Sequence, residues 1–226
     1  MLDAMPGSST THLALWSLGA FLAGSIPFGL VLVKLAGKGD VRAHGSGNIG
    51  ATNVSRVGGK ALGIVTLLLD IAKGWLPVWL AMKFGEGFAG ISLVALGAVA
   101  GHVFTPWLKF KGGKGVATAL GASLGLLPLA VLPSVVLFAL VLATTRYVSL
   151  GSVLAAALMP FSIWYFLRRD PVATLRGAST EPAVLAFSLW IAVFLLVIAK
   201  HHENLRRLLK GTESPLWGAK KESTDA

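Results

Sequence analysis

Long apolar runs alternate with short polar, glycine-rich segments along this 226-residue chain, and the lengths of the runs predict helices that cross a bilayer. Runs at roughly 13–33, 61–82, 87–104, 148–167 and 183–200 meet or approach the ~20 residues a spanning helix needs. The stretch 116–143 is also apolar, but Pro128 and Pro133 interrupt it where a proline breaks or turns a helix. Two short spans are expected there. The fold class is therefore an all-α polytopic membrane protein with seven transmembrane helices, two of them short. Residues 1–217 form one integral membrane domain, and 218–226 form a polar, disordered tail.

Charge placement orients these spans. The basic segments "KLAGKGDVRAH", "KFKGGKG" and "KHHENLRRLLKG" should all face the cytoplasm under the positive-inside rule. One crossing at 116–143 would put the last of them outside; two crossings, or a re-entrant hairpin, put all three inside. The N-terminus is then out and the C-terminus in. The loop "RRDPVATLRGASTEP" is the weak point of this topology, because it carries Arg168, Arg169 and Arg176 on the outer side. No Lys or Arg precedes the first apolar run, so the basic region of a secretory signal peptide is missing.

Composition agrees with lipid as the solvent: 54% of residues are hydrophobic, 13% are charged, and mean hydropathy is +0.73. The net charge of +10 lies between apolar spans and not on a soluble face. It points to anionic lipid or a phosphorylated substrate, with no nucleic acid. Cysteine is absent, which excludes disulfides, thiolate metal sites and a cysteine acyl-enzyme. The acidic residues are few and scattered, so neither a metal nor a cofactor is expected. Pairs such as Gly97/Gly101 and Gly121/Gly125 should let helices pack backbone to backbone. Trp16, Trp79, Trp107 and Trp217 fall near span ends, as interfacial anchors do.

Three polar segments gather on the cytoplasmic side. The first contains "GSGNIG", residues 45–50, with the G-x-G-x-x-G spacing of a dinucleotide loop. No strand runs into it, so that reading fails. What remains is a set of exposed backbone N–H groups beside Ser46, Asn48, Thr52, Asn53 and Arg56, which together suit an anion. The second segment, "GHVFTPWLKFKGGKGVATALG", resembles a P-loop without being one, since Gly115 follows Lys114 and Leu108 stands where the first Gly belongs. Gly112, Gly113 and Gly115 frame Lys111 and Lys114, which are expected to reach a phosphate, and His102 ends the preceding span. In the third segment, "AKHHENLRRLLKGTE", His201 and Asn204 lie one turn apart on an amphipathic helix with Leu205, Leu208 and Leu209 on its apolar side. His202 is the alternative functional imidazole. Within the second long span, Asp70 and Lys73 are three residues apart, and each would cost about 2.5–3.5 kcal/mol if isolated at mid-bilayer. A structural ion pair explains them better than a proton path.

The motifs "GSGNIGATNVSR", "GHVFTPWLKFKGGKGVAT" and "HHENLRRLLKGTE", with "GSIPFG" upstream and "RYVSLGS" between, resemble the PlsY family of bacterial acyl-phosphate:glycerol-3-phosphate acyltransferases. The likeness runs from about Gly24 to Glu213. It implies a seven-helix enzyme of the inner membrane that transfers a fatty acyl group from acyl phosphate to the 1-hydroxyl of glycerol 3-phosphate, releasing inorganic phosphate. It also implies that the enzyme forming the acyl phosphate is a partner. Two anionic substrates need separate cradles, which Arg56, Lys111, Lys114 and Arg207 can supply, with Ser149 added from "RYVSLGS". Ser46, Asn48 and Lys114 would hold the acyl phosphate and its oxyanion, while Arg56, Asn204 and Arg207 would hold the acceptor's phosphate. The hydroxyl's proton could pass to His201 or to a substrate phosphate oxygen, and Ser46 could instead act as a covalent nucleophile. The soluble H-x-x-x-x-D acyltransferase dyad is absent: Ile49, Trp107, Arg206 and Arg207 occupy the fifth positions after His44, His102, His201 and His202. The competing class is a membrane carrier for a phosphorylated metabolite, which would spread charges along a path and show repeated halves.

Overall fold

A computed structural model describes residues 10–169 and 180–217. The expectations for the signal region, for most of the 168–182 loop and for the 218–226 tail lie outside the described residues. Among the described residues there are ten α-helices and two short 3-10 turns, with no strand. In chain order the helices are α1 (Thr10–Ser25), α2 (Phe28–Leu35), α3 (Ala51–Gly58), α4 (Lys60–Lys83), α5 (Phe88–Val103), α6 (Val116–Leu126), α7 (Pro128–Thr145), α8 (Val148–Leu167), α9 (Thr180–Lys200) and α10 (His202–Leu209).

Two expectations about the spans need correction. The first apolar run is two helices, because Pro27 forces Ile26 out of helical geometry. The stretch 116–143 holds two helices, as expected, but only the first is short. α6 is short, eleven residues or about 16 Å of helix, whereas α7 runs for 18 residues and is long and apolar enough to cross a membrane. Pro128 starts α7, where its missing N–H costs nothing, and Pro133 is accommodated inside the helix. Five segments, Thr11–Leu35, Lys60–Lys83, Phe88–Leu108, Pro128–Thr145 and Val148–Leu167, have spanning length and composition, and Val116–Leu126 and Phe187–Lys200 are shorter apolar helices.

The glycine pairs bring helix backbones into contact. A Cβ on Gly101 of α5 would stand 2.1 Å from the Phe21 carbonyl oxygen of α1, and one on Gly121 of α6 would stand 1.9 Å from that of Ile71 on α4. Larger residues would pry these helices apart. Behind them Val78, Ile91, Val94, Ala98, Ala122 and Trp190 form a buried core. The outward faces of α4 and α7 leave Ile64, Leu68, Leu129, Leu132 and Leu140 exposed, as lipid-facing helices do.

Asp70 and Lys73 form an ion pair on α4 at 2.7 Å, with both side chains 3% exposed. Lys73 Nζ also donates to the Ile26 carbonyl at 2.8 Å, which accepts from the Phe28 N–H as well at the Pro27 break, and lies 5.6 Å from the Phe28 ring centroid. The buried cation thus closes the gap between α1 and α2.

Candidate active site

The connection from α2 to α3 is a glycine-rich turn organised by one amide. Asn53 Oδ1 accepts from the Ser46 N–H at 2.9 Å, while Asn53 Nδ2 donates to the carbonyls of Val41, His44 and Asn48 at 2.9–3.1 Å. Gly45 has φ +60 and touches this amide so closely that a Cβ would sit 2.3 Å from Oδ1. Asn53, expected among the substrate contacts, therefore has its donors committed to the turn. Asn48 Oδ1 accepts from Gly50 N–H at 2.8 Å and fixes the entry to α3. The first turn of α3, with Ala51 and Thr52, consequently presents its N-terminus to the cavity described below.

The loop from α5 to α6 is equally constrained. Gly112 and Gly113 donate to the carbonyls of Val103 and His102 at 3.0 and 3.1 Å. A Cβ on Gly113 would stand 2.0 Å from His102 Nε2. These two glycines allow close packing on the end of α5 and do not line the cavity. Lys111 also stays outside it, with its side chain exposed. The expected phosphate contacts at Lys111, Gly112 and Gly113 are thus not brought to the cavity, because the turn that seats Gly113 on His102 aims only Lys114 and Gly115 inward.

A cavity of about 770 Å³ joins the three polar segments. Ser46, Asn48, Thr52, Asn53 and Arg56 line it from the first, His102, Lys114 and Gly115 from the second, and His201, Asn204 and Arg207 from the third, with Ser149 at the start of α8. Most of its remaining wall is apolar, with Leu120 on α6, Phe138 on α7, Ala155, Ala156 and Met159 on α8, and Trp190 and Phe194 on α9; Asp70 of α4, Ser134 and Ser152 also reach it. One chamber therefore has a cationic end and a greasy branch.

The cationic end is tightly wired. Lys114 Nζ donates to Asn204 Oδ1, and burial brings the Lys114 ammonium down to about 8, against the opposing pull of Glu213. Glu213 accepts from Ser149 Oγ at 2.6 Å, Asn204 Nδ2 at 2.6 Å and Arg207 Nε at 2.7 Å. Burial works to raise this carboxyl, and the three hydrogen bonds outweigh it, so Glu213 lies below the usual range. Sequence reasoning did not single out Glu213. Its signal was a lone acid closing the third motif, and no spacing rule reveals that the chain folds it back onto Asn204 and Arg207.

The two adjacent histidines separate completely. His201 is 2% exposed, and its Nδ1 lies 2.8 Å from the Val197 carbonyl. A carbonyl only accepts, so Nδ1 carries the proton and Nε2 keeps its lone pair. Burial, reinforced by the Lys114 charge and only partly offset by the Val197 hydrogen bond, takes His201 down to about 4, leaving a neutral imidazole. His202, with its side chain 74% exposed, points away from the cavity. Among the apolar positions expected on this helix, Leu209 is instead 90% exposed.

A helical membrane protein with an anion cradle at one end of a chamber lined by hydrocarbon is built to act on a phosphorylated amphiphile. Comparison with known proteins makes the class specific. Residues 14–211 match the glycerol-3-phosphate acyltransferase family. The chain is 50% identical over 195 residues to a glycerol-3-phosphate acyltransferase of Geobacter sulfurreducens, covering 86% of this chain and 93% of that protein. It is 48% identical over 198 residues to one of Syntrophotalea carbinolica, covering 87% and 94%. Crystal structures of PlsY, an integral membrane glycerol 3-phosphate acyltransferase, superpose with a TM-score of 0.77 for the glycerol 3-phosphate form and 0.74 for the lysophosphatidic acid form. The first is 37% identical and covers 91% of this chain and 96% of that one; the second is 36% identical and covers 90% and 94%. The chain belongs to the glycerol-3-phosphate acyltransferase family.

Proposed function

We propose that this protein transfers a fatty acyl group from acyl phosphate to the 1-hydroxyl of glycerol 3-phosphate, yielding 1-acylglycerol 3-phosphate and inorganic phosphate. The observation that carries the reading is the single cavity whose polar end holds Arg56, Lys114 and Arg207 and whose other wall is hydrocarbon. Those three cations face Glu213 and, at 3.9 Å from Arg207, the exposed Glu203, and so retain an excess of positive charge for phosphate. The apolar branch suits the acyl chain, which reaches it from the bilayer.

The chemistry follows from the donors. The acceptor's 1-hydroxyl oxygen attacks the acyl carbonyl carbon; the carbonyl oxygen takes up negative charge, and the bond from carbon to the phosphate oxygen then breaks. Lys114 is the group best suited to offset that charge, assisted by Ser46, Asn48 and the first N–H groups of α3. Arg56, with its planar fork, and Arg207 with Asn204 suit the phosphate of glycerol 3-phosphate. His201 offers Nε2 as a hydrogen-bond acceptor to the hydroxyl, but at about 4 it holds a proton poorly. A phosphate oxygen, with a second pKa of about 6, is the better final acceptor. Among the described residues no general base is hydrogen-bonded to the Ser46 hydroxyl, which disfavours Ser46 as a covalent nucleophile.

We further propose seven spans with the N-terminus outside, the C-terminus inside and the cavity mouth on the cytoplasmic side of the inner membrane. The enzyme that forms acyl phosphate is then the partner that supplies the donor, and residues 1–217 act as one domain. The test is purified protein given acyl phosphate and labelled glycerol 3-phosphate. Phosphate release matched by labelled lysophosphatidate is expected, with acyl-CoA failing to replace the donor. Comparable turnover with acyl-CoA would overturn the donor assignment, and absence of labelled lipid would overturn the reaction.

A further inference from the structure

After α10 the chain lays one of its own acids against its phosphate cradle. Residues 212–217 cross the cavity mouth, and Glu213, Ser214 and Leu216 line it. Arg56 Nη2 donates to the Ser214 carbonyl at 3.4 Å, and the Leu216 N–H donates to the Arg146 carbonyl at 2.8 Å. Between these anchors the Glu213 side chain, 7% exposed, takes up Ser149 Oγ, Asn204 Nδ2 and Arg207 Nε. A carboxylate and a phosphate monoester ask for the same thing: charge-assisted donors converging on clustered oxygens.

We propose that Glu213 is an internal anion that competes with substrate phosphate, occupying Ser149, Asn204 and Arg207 in the empty enzyme and releasing them when glycerol 3-phosphate enters. Glu213 thereby sets how tightly the site holds a phosphate. The inference rests on the phosphate cradle assigned above. Three features of the strap and its contacts favour such competition.

The first is satisfaction. Ser149 and Asn204 are buried donors that are costly to leave unpaired, and Glu213 satisfies both together with the half-buried Arg207 while the substrate is absent. The second is exclusion. A phosphate on Asn204 and Arg207 would meet the Glu213 carboxylate at hydrogen-bond range, and two anions so placed repel. The third is mobility. The strap has a backbone bond at each end, Thr212 N–H to the Arg207 carbonyl at 2.9 Å and Leu216 N–H to that of Arg146, and between them only the long contact at Ser214, with exposed side chains at Thr212, Ser214 and Trp217, so its middle is held down chiefly by Glu213.

Apparent affinity falls in proportion to the fraction of enzyme in the open state. Glu213→Gln keeps the shape and removes the charge. Assayed in the full-length purified protein, it should lower KM for glycerol 3-phosphate by roughly tenfold if the strap is closed about nine-tenths of the time, and inorganic phosphate should inhibit at correspondingly lower concentration. A raised KM would overturn the proposal and leave Glu213 as a brace for Asn204 and Arg207.

A second measurement keeps Glu213 intact and covers the case in which that variant does not fold. The chain has no cysteine, so Ser214→Cys introduces a single thiol into the strap. A water-soluble thiol reagent should label it several-fold faster in saturating glycerol 3-phosphate or inorganic phosphate than in glycerol. Unchanged or slower labelling would overturn the proposal. Acceleration by inorganic phosphate needs no turnover, so this result stands apart from the acyltransfer assay. Lost acylation sinks the proposed reaction, whereas an active enzyme with an unresponsive strap sinks only the competing anion.

Discussion

Asp70 and Lys73 lie one turn apart on α4, and Glu213 and Arg207 meet across the turn that follows α10. Each pair is a carboxylate held by a cation at 2.7 Å, yet the two do different work. Around Asp70 the charge is closed: Lys73 spends its ammonium on Asp70, on the Ile26 carbonyl and against the Phe28 ring. Around Glu213 the charge is open. Lys114, Arg56 and Arg207 line the cavity with Glu213, and Arg207 also lies 3.9 Å from the exposed Glu203, so among the described residues the three cations outnumber the acids that face them. A buried pair that balances itself adds no net charge even where Asp70 meets the cavity, while an unbalanced cluster there serves an anionic ligand.

The largest effect should come from opening the closed cluster. Asp70→Asn leaves Lys73 buried without its counter-ion, which costs about 3–5 kcal/mol. Thermal unfolding in detergent should show a strongly lowered Tm, and replacing Lys73 by Met in the same chain should recover much of it. A wild-type Tm in the single variant would mean that the pair does not hold α4 against the Ile26 break.

In the open cluster, Lys114→Ala should leave the fold in place and lower kcat by roughly 10²- to 10³-fold, the usual loss for one oxyanion donor. Purified protein with a wild-type melting profile and near-normal kcat would remove Lys114 from the chemistry. The same residue predicts a pH dependence. Lys114 sits at about 8, so it is cationic below that value and loses its charge above it. The acyl-phosphate kcat/KM, which reports the free enzyme, should fall as pH rises through about 8. A profile flat to pH 10 would contradict the assignment.

Arg56→Lys keeps the charge and loses the fork, so its main signature should be a KM for glycerol 3-phosphate raised roughly tenfold, with kcat less affected. The smallest effect belongs to Lys111→Gln. That side chain lies in solvent outside the cavity, and steady-state constants within about twofold of wild type are expected, in line with ordinary surface substitutions. A large KM increase would show that the open cluster extends further than the cavity wall.

Much of the molecule was legible before any coordinates. The long apolar runs, the small-residue pairs at Gly97/Gly101 and Gly121/Gly125 and the self-sufficient Asp70/Lys73 pair follow from local rules, because bilayer thickness, helical spacing and the cost of a lone charge act on neighbouring residues. The motif segments were legible for a related reason: glycines, hydroxyls and single cations crowded into a short polar stretch are costly unless they bind something. The PlsY resemblance joined them into one reaction, and family membership agrees with it.

Other features depend on how distant segments meet. Sequence could not divide the lysines of "KFKGGKG", since Lys111 and Lys114 have the same chemistry and two glycines between them; only the seating of Gly113 on His102 turns one outward and the other in. Nor could it choose between His201 and His202, which the entry into α10 sends to opposite sides. Asn53 reads as a ligand and serves as the hub of its own turn. Glu213 reads as a tail residue and returns to Ser149, 64 positions earlier. Local pattern determines which groups a membrane chain can bury, because each must be satisfied within its own helix or turn. The tertiary structure alone decides which of them share a cavity, because that depends on contacts between residues far apart in the chain.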